Sequence, residues 1–166
     1  MSESIKHTIS LLVSNKPGVL TRVALVFARR GFNIDSLVVS QGQTEEFSRM
    51  NIEATGDTRT LHLMLAQLNR LVDVIHAVEH DSSNVIQREL ALFKVTCPPE
   101  KRTEVLQIAE TFRSQTVDIS DDSITLQVTG KSSKVNAFRQ MMSPFGILEL
   151  VRTGKVLMSR GATITA

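Results

Sequence analysis

Tryptophan and tyrosine are absent from this chain of 166 residues, and seven phenylalanines supply what aromatic character it has. Stacking platforms of the kind that hold unpaired nucleic-acid bases are therefore nearly excluded. A single cysteine rules out an internal disulfide framework and any four-cysteine zinc site. The longest uninterrupted apolar run, Val23 to Ala28, is far too short to span a bilayer. The opening residues Met1-Ser-Glu-Ser-Ile-Lys-His carry no apolar signal core, so a cytoplasmic location is expected. Neither sign of charge dominates: nineteen Lys and Arg against seventeen Asp and Glu give +2, too mild to point to nucleic acid. What is present is a hydrophobic fraction of 42%, enough for one ordinary core or two small ones.

The apolar period switches repeatedly between two and three-to-four. Ile5 to Val13 reads as a strand and ends at the polar stretch Ser14-Asn15-Lys16-Pro17-Gly18. Val19, Leu20, Val23, Leu25, Val26 and Phe27 then recur at helical spacing, with Arg29, Arg30 and Gly31 as the stop. Ile34 to Ser40 and Phe47 to Ala54 read as strands joined by a turn at Gln41-Gly42-Gln43-Thr44. A helix over Leu61 to Leu71, capped by Asp57 or Thr58, and a strand over Val72 to Val78 complete a β-α-β-β-α-β order. The second half repeats it: strand Gln87 to Thr96, helix Pro99 to Arg113, strands Val117 to Ser120 and Ile124 to Thr129, helix Ser132 to Met142, and strand Ile147 to Val151. The expected architecture is α+β, two ferredoxin-like βαββαβ sandwiches over 1–80 and 87–166, with a polar linker over 81–86.

The chemistry-bearing residues form no catalytic set. Gly130-Lys131-Ser132 ends like a phosphate-cradling loop, but Thr125 stands where that loop needs its first glycine, leaving a turn capped by Ser132. His76 and His80 have the spacing of a helical metal pair yet fall in a strand and a linker. Cys97 reads as a small buried hydrophobe, and Asp121-Asp122 as solvated turn formers. No metal site and no catalytic residue is expected.

One segment does suggest binding. Where the first strand gives way to the first helix, the unpaired N–H groups of the helix start and the positive end of its dipole coincide, which favours a carboxylate or phosphate. Gly18 lets such a group approach the backbone without a Cβ in the way. Asn15, and Asn33 at the start of the next strand, each offer a donor and an acceptor, as the two charged ends of a zwitterion require. The neighbours, Val19 and Ile34 among them, are aliphatic and suit an aliphatic ligand side chain. The same residues also fit an Asn-capped turn around a core glycine.

The runs Asn15-Lys-Pro-Gly-Val-Leu20 and Arg29-Arg-Gly-Phe-Asn-Ile-Asp-Ser-Leu-Val-Val39 resemble the ACT domain, a βαββαβ module that binds amino acids. Together with Ser48-Arg-Met-Asn-Ile52, Gln67-Leu-Asn-Arg-Leu-Val-Asp-Val74, Gln87-Arg-Glu-Leu-Ala-Leu92 and Ser159-Arg-Gly161, in that order, the chain resembles the regulatory small subunits of acetolactate synthase. The resemblance implies a non-catalytic protein that activates a thiamine-diphosphate-dependent catalytic subunit. It also implies feedback inhibition by a branched-chain amino acid, valine foremost. Thiamine diphosphate, Mg²⁺ and FAD would then belong to the partner and no cofactor to this chain. ACT domains of this family pair side by side, so a homodimer is implied, with Asn15 and Gly18 of one copy and Asn33 of the other around the effector. The Gly18 and Val19 N–H groups would receive its carboxylate.

A stand-alone amino-acid sensor of the ACT type, regulating another enzyme, shares these features. An RNA-binding module of the same strand order is disfavoured because Phe47 is the only aromatic of the third strand. From Lys131 onward six basic residues face only Glu149, so this end is either a solvated face or a contact for an acidic partner surface.

Overall fold

The computed structural model describes residues 4–81 and 83–166, which divide into two compact units. The first comprises residues up to Ile86 together with Lys155–Ala166, and the second is Gln87–Gly154.

In the first unit β1 (Ser4–Ser14), α1 (Val19–Arg29), β2 (Asn33–Gln41), β3 (Phe47–Asp57), α2 (Thr58–Leu68) and β4 (Val74–Glu79) follow the expected order. The antiparallel sheet runs β2-β3-β1-β4, so among the described residues β2 is an edge strand paired only with β3. Alternate residues of β1 (Ile9, Leu11, Val13) and β3 (Met50, Ile52, Ala54) are buried against Val23, Val26 and Phe27 of α1 and Leu61, Met64 and Leu68 of α2. Gly31, at φ 72°, stops α1 in the left-handed conformation. Its N–H reaches Ala28 O and that of Phe32 reaches Phe27 O, and the rings of Phe27 and Phe32 meet edge-on across the turn.

The second helix is shifted from the expected 61–71. Of the two candidate caps Asp57 serves: its carboxylate accepts from Thr60 N–H at 3.0 Å, which starts α2 at Thr58. Asn69 ends it by bonding both the N–H and the carbonyl of Ala77, so residues 69–73 form a turn and β4 begins at Val74 rather than Val72. Val72, 95% exposed, belongs to that turn.

The second unit repeats the topology with β5 (Val85–Thr96), α3 (Arg102–Thr111), β6 (Gln115–Ile119), β7 (Ser123–Gly130), α4 (Ser132–Met142) and β8 (Ile147–Arg152), in the strand order β6-β7-β5-β8. Phe93, Phe138 and Phe112 stack edge to face in its core, and Cys97 is buried there as a small apolar residue. Pro99–Lys101 form a tight 3₁₀ turn, so the α-helix starts three residues later than expected. Ser132 is the first helical residue of α4 rather than its cap; that position falls to Lys131. No described helix is long and apolar enough to cross a membrane.

The domain boundary departs from the expected 87–166. After Gly154 the chain returns to the first unit, where β9 (Val156–Ser159) lies. Leu157 is buried, and Lys155 pairs with Glu53 at 2.5 Å. The basic end is thus partly spent inside the protein, since Arg152 likewise pairs with the buried Glu89.

Candidate functional site

At the end of β1 the backbone is pinned on two sides. Ser14 N–H bonds Asp73 O and Asn15 N–H bonds Glu46 O, both at 2.8 Å. The Asn15 side chain donates to Glu45 O at 2.9 Å, which fixes the carboxamide against the β2–β3 turn and leaves its Oδ1 as the acceptor on offer. Gly18 is the N-cap of α1 at φ 83°, a conformation that a side chain opposes, and no side chain among the described residues caps the helix. The Val19 N–H reaches Lys16 O only at 3.4 Å, a weak bond, while the Val19 side chain is buried in the core. The start of α1 therefore keeps donor capacity for an anion.

Arg22, one turn along α1, was not signalled by the sequence motif, although it stands four residues after Gly18. A Cβ at position 18 would lie 3.0 Å from its Nη1, so the guanidinium covers this glycine. Asp73 holds it there through Nε at 2.9 Å. The anion-favouring helix start thus carries a fixed cation beside it.

Asn33 sits elsewhere. It pairs with Thr55 near the far end of β3, whereas Ser14 pairs with Phe47 at the near end. Eight residues of strand separate the two levels, about 26 Å at roughly 3.3 Å per residue. Asn15, Gly18 and Val19 are brought together in one chain; Asn33 and Ile34 are not brought to them. Ile34 is half-buried against the first core, and Asn33 is exposed.

Around Asn33 a small polar cluster has formed. Asn33 Nδ2 and Thr55 Oγ1 each donate to the Asp35 carboxylate at 2.5 Å, and the register of β2 against β3 shifts at this point. The Thr55 hydroxyl above all, helped by Asn33 and the Lys6 charge, holds the Asp35 carboxyl below its ordinary 3.8 against the opposing effect of desolvation. Asn33, like Asn15, is left with its Oδ1 to offer. Two carboxamide oxygens suit an ammonium, and a helix start with an arginine suits a carboxylate.

Strand β2 alternates exposed with half-buried residues up to Val38; Leu37 and Val39 are exposed apolar residues on it, and its outer edge meets no other strand of the sheet. An edge of nine residues is a template for strand addition.

Residues 9–76 match the family model of the AHAS small subunit-like ACT domain, and residues 88–161 that of the small subunit of acetolactate synthase. A probable acetolactate synthase small subunit of Archaeoglobus fulgidus is 49% identical over 95% of this chain and 98% of its own length. The acetolactate synthase small subunit of Mycobacterium bovis is 43% identical over 93% and 92%. The crystal structure of the acetolactate synthase small subunit from Thermotoga maritima superposes with a TM-score of 0.87 at 38% identity, covering 96% of this chain and 99% of that one. Agreement in sequence and in fold over both units places the chain in the family of acetolactate synthase small subunits, regulatory proteins built on an ACT domain.

Proposed function

We propose that this chain activates a catalytic acetolactate synthase subunit and makes it sensitive to feedback inhibition by a branched-chain amino acid, valine foremost. The observation that carries the reading is the separation of Asn33 from Asn15 and Gly18 on one sheet whose edge strand β2 is open. Antiparallel addition of a second copy at β2 reverses the strand direction, so the Asn33 end of one copy comes to the Gln41 end of the other. That is the level of the β1–α1 loop. A site divided in this way exists only in the dimer.

In it, the ligand carboxylate meets the N–H groups at Gly18 and Val19 beside Arg22, and its ammonium meets Asn15 Oδ1 and the second copy's Asn33 Oδ1. Exposed apolar residues such as Leu37 supply cover for the aliphatic group. Because each copy contributes, occupancy favours one arrangement of the pair, and the catalytic subunit responds to that arrangement. A coupling of about 1–3 kcal/mol is typical of such linkage. Thiamine diphosphate, Mg²⁺ and FAD belong to that catalytic subunit in this reading.

The test is titration calorimetry of the chain with valine, leucine and isoleucine, beside activity assays of the catalytic subunit with and without it. Saturable valine binding at one molecule per shared site, increased activity on mixing and loss of that increase with valine are expected. Absence of all amino-acid binding by a chain that still activates would remove the effector half of the reading.

A further inference from the structure

Residues 155–166 close over the first unit by contacts spread along their length. Lys155 pairs with Glu53, Arg160 N–H bonds Asn84 O at 3.0 Å, and Arg49 Nη2 donates to Ala166 O at 3.1 Å. Thr165 is only 3% exposed, and its hydroxyl accepts from Ser159 N–H at 2.9 Å. Next to Thr165 is His80, just past β4, bonded to the Thr165 backbone. The other ring nitrogen, Nε2, is sealed from solvent with no hydrogen-bond partner among the described residues. A cleft of about 500 Å³ beside it is lined by both His76 and His80.

Charges of both signs surround this imidazole. Arg49 faces it from β3, and His76 and Glu79 from β4, while Asp81 and Arg160 line the cleft. Glu79, the carboxylate that ends β4, is already bonded to the buried His7 at 2.8 Å. A neutral His80 fits: one nitrogen serves the Thr165 backbone and Nε2 remains a bare acceptor. A protonated His80 adds a sealed N–H and a positive charge next to Arg49.

We propose that residues 155–166 are a proton-released strap, held on the first unit while His80 is neutral and let go when it takes up a proton. Release uncovers Arg49 and Glu53, which alternate with the core residues of β3 and so occupy the sheet face opposite the helices. The regulatory unit then gains a charged surface that exists only in acid. Burial first, then Arg49, and to a lesser degree His76, push the His80 value below 6.5, against Glu79 and the Thr165 bond. With the strap open, His80 binds its proton near 6.5; with it closed, at a lower pH. Closure is therefore fully favoured above 6.5 and weakens as pH falls from there toward the lowered value.

The inference is independent of the effector site, and the full chain tests it by hydrogen exchange. Protection of the amides in 156–166, corrected for the intrinsic pH dependence of exchange, should fall several-fold between pH 7.5 and 5.5. The β1 amides should not follow, and His80→Gln, which cannot be charged, should keep the strap protected at both values. Equal strap protection at both pH values in the parent, or the same loss in His80→Gln, overturns the proposal. If His80→Gln does not fold, the NMR titration of His80 in Lys155→Ala decides: a looser strap must move it up toward 6.5, and an unmoved titration also overturns it.

Discussion

The two units share a topology and differ where it matters for binding. In the first, the loop from β1 to α1 runs through Gly18 into a helix whose start is open to an anion and flanked by Arg22. In the second, the corresponding loop from β5 to α3 runs through Pro98 and Pro99, which have no N–H to give, and a 3₁₀ turn fills the helix start. The Cys97 N–H before them is taken by Asp122 O at 2.7 Å. The edge strands differ in parallel: β2 is a nine-residue strand, while β6 has five residues, all exposed. One βαββαβ plan thus leaves an open helix start in one copy and a filled-in turn in the other, decided by a glycine and two prolines.

The largest effect should come from Gly18→Asp. Aspartate ordinarily suits an N-cap, but at φ 83° it costs about 1–2 kcal/mol in backbone conformation. Its charge also faces the ligand carboxylate and draws Arg22 away. The loss of a charge-assisted contact worth about 1.5–3 kcal/mol, with repulsion added, should weaken valine binding by more than about 100-fold. Calorimetry showing parental affinity would break the contrast between the units at its root.

Asn33→Ala should come next, with a loss of about 10- to 100-fold in valine affinity from one hydrogen bond to a charged group. Activation of the catalytic subunit should survive, because Asn33 is exposed and lies outside the core. A smaller change is expected for Val39→Glu on the β2 edge, where like charges brought together across the pair should weaken dimerisation by about five- to tenfold. Light scattering over a dilution series measures it, and valine affinity should fall with the dimer population.

Acid sensitivity offers a finer probe of the Asn33 end. Asp35 stabilises the folded chain above 3.8, and that contribution is lost as pH falls through its lowered folded-state value. Urea midpoints at pH 5 and pH 3 should therefore differ less in Asp35→Asn than in the parent. The smallest effect belongs to Pro99→Ala in the second unit, which should leave valine affinity within about twofold. A larger change would show that the second unit's loop does contribute to effector binding.

Local features carried most of what the sequence told. The stop of α1 at Gly31, the period of Val19, Val23, Val26 and Phe27, and the alternation of Met50, Ile52 and Ala54 all act within a few residues. Elsewhere a distant partner decides. Asn69 ends α2 because it bonds Ala77 eight residues away, which no helix-stop rule anticipates. Lys155 leaves the second unit because Glu53, 102 residues earlier, receives it. At the site, Asn15, Gly18 and Asn33 were legible as residue types, whereas Arg22, Asp73, Asp35 and Thr55 were not, since their roles come from contacts made after folding.

The absence of tryptophan and tyrosine, the lone cysteine and the two apolar periods were enough to determine an α+β fold with no stacking platform and no disulfide framework. Those properties depend on composition and short-range periodicity, which a linear sequence records directly. Tertiary structure alone decided that Asn33 stands some 26 Å from its expected companions, that β2 is left as an open edge, and that the last twelve residues return to the first unit. Each of these depends on which strands pair and in what register, a choice made by the collective burial of two cores rather than by any neighbouring residue.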